Sequence, residues 1–246
     1  MTTRETSGRL RRITADAVAE ALGRDRRHDA VLRTSGGPAG NARLTAWSGL
    51  VLLVLFVAEL LTLVGVRQLI SWHLVLGALL VPPALTKTAS TGWRILRYYT
   101  GNRPYVESGP PPLILRVLGP AVVISTLALL ASGLALILTG PDTGRRTLVD
   151  VLGQRVDAVT IHQATFAVWA VVTGLHVLGR LLPAVRLTLR PTGTRVPGGY
   201  RRLLTLVLTM VVAVPVAVVV LQAGHAWRTE PERQFGRPGG AHHVDR

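Results

Sequence analysis

His162 and His176 lie fourteen residues apart within one apolar run, Ile161 to His176. At ~100° and ~1.5 Å per helical residue they share nearly one face and stand ~21 Å apart along the axis. A third histidine, His73, lies near the start of another apolar run. Ionisable side chains are costly in hydrocarbon, so each such histidine marks a candidate functional position. Two imidazoles at matched depth on different helices can hold one haem iron from both faces, as in a transmembrane b-type cytochrome.

His73 and His162 form that pair, because both fall at the start of a span on the same side of the bilayer. Gly77, one turn beyond His73, would leave room for a porphyrin edge. Arg67 and Arg155 belong to the same surface and could pair with haem propionates. The alternative for both histidines is an interfacial residue bonded to water or backbone. His176 has no histidine opposite it. It could hold a five-coordinate haem, take Lys87 or Met210 as partner, or be a hydrogen-bonded remnant; a second haem therefore stays open. Lys87 is the only lysine among 28 basic residues, and it either snorkels to the cytoplasmic surface or meets a propionate. Glu59, inside the first apolar run, should face other helices, either in proton uptake or quinone binding or in a structural hydrogen bond. Phe166, Trp169 and Thr173 share the stripe between His162 and His176, where ordinary helix packing is favoured over an aromatic path. His225, at the outer end of the last span, reads as an interfacial residue rather than a ligand.

The elements that must position these residues are membrane spans. The chain has 246 residues, 48% of them hydrophobic, and no cysteine, which excludes disulfides, thiolate zinc sites, iron–sulfur clusters and covalently attached haem. A net charge of +15 would fit nucleic acid, but the arginines flank apolar segments, the pattern of membrane topology, so no nucleic-acid partner is expected. Five segments approach the ~20 residues needed to span: Leu44–Val66, Ile70–Lys87, Val117–Thr139, Val159–Leu182 and Leu203–Gln222. The second is short and carries Pro82-Pro83, which should kink or end it. The predicted fold is an all-α integral membrane helix bundle with about five transmembrane helices. Arginines cluster on the side of the N-terminus, which predicts an N-in, C-out chain in the cell membrane. Trp47, Trp93, Tyr98, Tyr99 and Trp227 fall near the predicted interfaces.

Residues 1–43 form an Arg-rich cytoplasmic segment and linker. An amphipathic helix is predicted over Leu10–Leu22 with Gly23 as its stop, followed by a Gly-rich linker over Thr34–Asn41. Residues 44–223 form the membrane domain. Gly109-Pro110-Pro111-Pro112 gives a stiff lead into the third span. Residues 224–246 are a polar tail, predicted disordered.

The stretches Glu59-Leu60-Leu61-Thr62, Trp72-His73 with Gly77 and Pro82-Pro83, and Thr91-Gly92-Trp93-Arg94 with Arg97-Tyr98-Tyr99-Thr100-Gly101 occur in that order. They are followed by Gly109-Pro110-Pro111, His162-Gln163-Ala164-Thr165-Phe166 with Trp169, and His176-Val177-Leu178-Gly179. In this order, over about residues 45–182, the chain resembles actinobacterial membrane proteins of the wider cytochrome b561 and hydrogenase-type cytochrome b group. The resemblance implies b-haem binding and electron transfer, with His73, His162 and His176 as ligand histidines. It also implies an extracytoplasmic redox partner, sometimes a molybdenum oxidoreductase, and exchange of electrons with quinone. The chain departs from it at Lys87 and Arg180, where relatives show further histidines.

The leading functional expectation is thus an electron-transfer subunit rather than a stand-alone enzyme. It would carry non-covalent haem b in the lipid bilayer. The alternatives are a haem-free anchor or assembly subunit of a redox complex, and a small proton-linked transporter. Five spans without paired halves weigh against transport.

Overall fold

A computed structural model of the chain describes residues 3–21, 37–109, 113–189 and 196–229. It is an all-α membrane bundle. Helix α1 spans Thr3–Ala21, α2 Gly37–Thr62, α3 Ile70–Tyr99, α4 Arg103–Glu107, α5 Leu113–Gly144, α6 Ala158–Leu189 and α7 Gly199–Ala223. Five helices are long and apolar enough to cross a bilayer, over Gly37–Gly65, Ile70–Tyr99, Arg116–Gly144, Ala158–Arg186 and Gly199–Ala223. An odd number of crossings leaves the first span's start and the last span's end on opposite faces, called here the N-side and the C-side.

The packing partners are α2 with α3, α3 with α7, and α5 with α6, while α2 also touches α6. Helix α3 is thereby covered on two sides. Its centre is an apolar cluster of Leu52, Leu80 and Ala84, closed by Leu55, Phe56 and Leu130. Most other large apolar side chains of the spans face outward, as lipid-facing residues must.

Three expectations need correction. The second span is not short: α3 runs through Pro82-Pro83 to Tyr99. Each proline removes a backbone donor, but Pro83 is fully buried against its neighbours, so packing carries the helix past the lost bonds. Residues 37–41, read as linker, already belong to α2, while 34–36 lie outside the described residues. The N-terminal helix begins earlier than predicted, at Thr3, and ends at Ala21; Leu22 and the predicted stop Gly23 lie outside the described residues, as do Pro110–Pro112 and the tail from residue 230.

One element was not anticipated. Val149–Val151 and Gln154–Val156 form an antiparallel hairpin on the C-side. Leu152 and Gly153 turn it with φ of 51° and 78°, the left-handed pair a two-residue hairpin requires. This hairpin leads directly into α6. There Asp157 Oδ1 accepts the Thr160 backbone N–H at 2.7 Å and the Thr160 hydroxyl at 2.8 Å. These bonds hold the Asp157 carboxyl below its usual pKa, the backbone donor contributing most. The cap fixes where α6 starts, and so where His162 stands.

Candidate functional site

Four spans bring the C-side site together. Helix α2 supplies Glu59 and Thr62 near its end, α3 supplies His73 in its first turn, α5 supplies Ser132, and α6 supplies His162 just past its cap. The two imidazoles meet as expected from their depth. Their ring centroids are 6.4 Å apart and their planes are inclined at 82°.

Each ring is oriented through Nδ1. His73 Nδ1 lies 2.8 Å from Glu59 Oε1 and 3.1 Å from Thr62 Oγ1. The Thr62 hydroxyl spends its only proton on the Glu59 carbonyl, at 2.6 Å, so its oxygen accepts, and a carboxylate only accepts. His73 Nδ1 is therefore the protonated nitrogen wherever Glu59 is a carboxylate. His162 Nδ1 lies 2.9 Å from Ser132 Oγ. The Ser132 hydroxyl donates to the Leu129 carbonyl at 2.9 Å, and the neighbouring Thr165 hydroxyl donates to the His162 carbonyl at 2.8 Å. The Ser132 oxygen is left to accept from His162 Nδ1–H. Both rings are thus assigned the Nδ1–H tautomer, which leaves the Nε2 lone pair of each available.

The residues fit a bis-imidazole iron site in two respects. Metal-bound histidines are characteristically oriented by a carboxylate, carbonyl or other acceptor on the second ring nitrogen, which is the role of Glu59, Thr62 and Ser132. The ring centroids lie 6.4 Å apart, the scale of ~6 Å at which two imidazoles could share one metal through bonds of ~2 Å. Among the described residues no group of three or more His, Asp or Glu is arranged around a metal ion; the site offers a pair of imidazoles.

Close approach at the pair depends on Gly133, while Gly77 leaves only an ordinary contact distance. A Cβ on Gly133 would stand 3.2 Å from His162 Cε1, and one on Gly77 would stand 3.6 Å from Glu59 Oε1. Gly77 was expected to clear space for a porphyrin edge; the structure places it against the Glu59 carboxylate. Arg67 and Arg155 lie on the C-side, exposed, in the turn after Gly65 and on the second hairpin strand. His225 is exposed beyond α7.

The N-side is built differently. Lys87 and Arg180 are the charged groups that act on His176. His176 Nδ1 and the hydroxyl of Thr173, one turn earlier, are buried without a hydrogen-bond partner. Lys87 does not snorkel. Its Nζ donates to the Thr45 carbonyl at 3.2 Å, in the notch left by Gly49, where a Cβ would stand 2.7 Å from it. Met210 sits on α7, which packs on α3, whereas α6 packs on α5 and α2; the bundle does not present it to His176. Trp169 is buried between Phe56 and Phe166, at centroid distances of 4.7 and 5.9 Å, and donates to Thr126 Oγ1 at 3.1 Å. It is a packing anchor for α2, α5 and α6.

Thr62 and Ser132 were missed as site residues. Serine and threonine are common in membrane helices, and only the register between helices singles these two out. Comparison with protein-family models, with curated proteins and with solved structures gave no match.

Proposed function

We propose that this multi-pass membrane protein binds b-type haem between His73 and His162 and carries single electrons, as a subunit of the cell membrane's redox machinery. The reading rests on one observation above all. Two imidazoles from different spans stand 6.4 Å apart, each held through Nδ1, with the ligating nitrogen of each left over. Haem, when bound, supplies reversible one-electron chemistry at iron. The chain's own contribution is to orient both ligands, to exclude water with the apolar cluster beneath them, and to set local charge through Glu59.

Arg67 and Arg155, both exposed on the C-side, support this reading as candidate partners for propionates. An N-in orientation would place this site at the extracytoplasmic surface, within reach of an extracytoplasmic oxidoreductase, with quinone as the membrane-soluble counterpart. Glu59 Oε2 is buried and lacks a partner, a feature consistent with a role at a quinone or in proton uptake.

A second reading has its own support. The same Nδ1 bonds tie α3 to α2 and α6 to α5, so the histidines would also serve a haem-free anchor as polar links between helices. The reduced-minus-oxidised spectrum of the purified full-length protein, expressed with ample haem, separates the two. A b-type α-band with acid-acetone-extractable haem is expected. Folded protein without a Soret band would favour the anchor.

A further inference from the structure

The hairpin between α5 and α6 carries apolar side chains that the chain itself leaves uncovered. Leu148, Val149 and Val151 are exposed, and Leu152 at the tip is 99% exposed. The register gives the hairpin two faces. Val149 is paired with Val156 and Val151 with Gln154, while Asp150 stands opposite Arg155. Side chains alternate along a strand, so one face is largely apolar and the other presents opposed charges. The two strands pair with each other and pack extensively on no helix. A lone two-stranded hairpin is marginal in water, so a further surface completes this one.

Leu152 points the same way. Among the described residues it is the one non-glycine at positive φ, 51°. Asn, Asp or Gly suits that turn position, and leucine there is conformationally unfavourable. An apolar contact outside the chain would offset that cost.

The place of the hairpin selects lipid as that contact. The flanking spans, Arg116–Gly144 and Ala158–Arg186, have 29 residues each. At ~1.5 Å per residue each is ~43 Å long, which matches the ~40–45 Å of a bilayer with its headgroups. Both roots of the hairpin therefore lie at headgroup level. At the first root Arg145 stacks on Trp227 at 5.3 Å, and tryptophan marks a membrane interface. Three-residue strands reach only ~10 Å, so the apolar face stays beside the bilayer. It continues the lipid-facing surface of Leu134 and Leu138 on α5 and Ile161 on α6, all exposed. Arg145, Arg146 and Arg155 are balanced by Asp142, Asp150 and Asp157 in the same segment, so apolar burial rather than lipid charge holds it.

We propose that this hairpin lies on the C-side leaflet, with Val149, Val151 and Leu152 in the lipid interface and Asp150 and Arg155 towards water. It anchors the start of α6 through Asp157, the capping residue that follows its second strand. The site is independent of the haem reading.

The chain contains no cysteine, so a single introduced one reports alone. Nitroxide labels on Asp150→Cys, Val151→Cys and Leu152→Cys of the full-length protein, in phosphatidylcholine nanodiscs, test the proposal by power saturation. Oxygen partitions into lipid, whereas a nickel chelate stays in water. The oxygen-to-nickel accessibility ratio should be several-fold higher at the Val151 and Leu152 positions than at Asp150. Equal ratios at the three positions would overturn the proposal. So would a label at the Leu152 position that neither collider reaches, with a dipolar distance between two copies, which would give the face to a second copy of the chain. Should a nitroxide disturb the tip, quenching of a bimane on Val149→Cys by brominated phosphatidylcholine decides: strong quenching is expected, and its absence would overturn the proposal.

Discussion

Glu59 Oε1 and His73 Nδ1 lie 2.8 Å apart, joining the end of α2 to the start of α3 across a connection of a few residues. The carboxylate orients the imidazole and makes the proton on Nδ1 favourable, which raises the donor strength of Nε2. His162 receives only a hydroxyl oxygen, Ser132 Oγ, in the same role. The two candidate ligands are therefore electronically unequal.

Removal of either ligand should give the same result. His73→Ala and His162→Ala should each convert low-spin haem to high-spin or empty protein. His176→Ala should leave the low-spin signal intact, since it lies ~21 Å from His162 along the helix. Haem content and low-temperature spectra of the three variants check this. A silent His73→Ala alongside loss of all low-spin haem in His176→Ala would move the haem to the N-side.

Substitution of the orienting residues should have a graded effect. Ser132→Ala removes the acceptor of His162 Nδ1–H without removing the ligand. Haem should still bind, but about 10- to 100-fold more weakly, the usual scale for losing such a partner. Haem-transfer titration against a competing apoprotein measures it. Glu59→Leu should act in the same direction on His73, whose remaining Nδ1 partner would be the Thr62 hydroxyl.

The Asp157 cap gives a pH dependence with a definite sign. Its carboxyl is held below the ordinary value by Thr160, first through the backbone N–H and then through the hydroxyl. A group with a depressed folded pKa contributes stability above its unfolded pKa, ~3.9 for Asp, and loses it as pH falls through the folded value. Thermal stability in detergent should drop in that acidic window, and Asp157→Asn should flatten the drop. Asp157→Ala should cost about 1 kcal/mol at neutral pH.

Reporter fusions should place residue 1 in the cytoplasm and the tail outside. The five spans put the ends of the membrane domain on opposite faces, and the arginine asymmetry selects the N-in sense. Both reporters on one side would mean that one of the five helices does not cross.

Trp169→Ala should destabilise the bundle by about 3–5 kcal/mol, the range for deleting a buried aromatic. Trp169→Phe should cost less, because it keeps the contact with Phe56 at 4.7 Å and loses only the bond to Thr126. Thermal melts of both variants distinguish packing from hydrogen bonding.

The sequence carried the spans and the meeting of His73 with His162, because hydropathy and helical rise together determine depth. It did not carry the length of α3. Two consecutive prolines read as a stop on local grounds, and only burial between α2 and α7 reveals otherwise. Nor did it carry Ser132 or Thr62, whose roles depend on which face of α5 and α2 meets the histidines. The hairpin at 149–156 had a visible cue in the alternation around Leu152-Gly153, but leucine is an unusual residue at positive φ. Lys87 was legible as an anomaly and not as a buried group, since Gly49 on another helix makes room for it.

The apolar cluster of Leu52, Leu80 and Ala84, with Leu55, Phe56 and Leu130, separates Glu59 and His73 from Thr45 and Lys87 along both α2 and α3. In electrical terms it is an insulator. Most of a transmembrane voltage, worth ~2.3 kcal/mol per elementary charge per 100 mV, would drop across this apolar layer rather than within either polar end. The six side chains of this cluster offer protons and ions no polar group, so two ends of different character share one small bundle with an apolar layer between them.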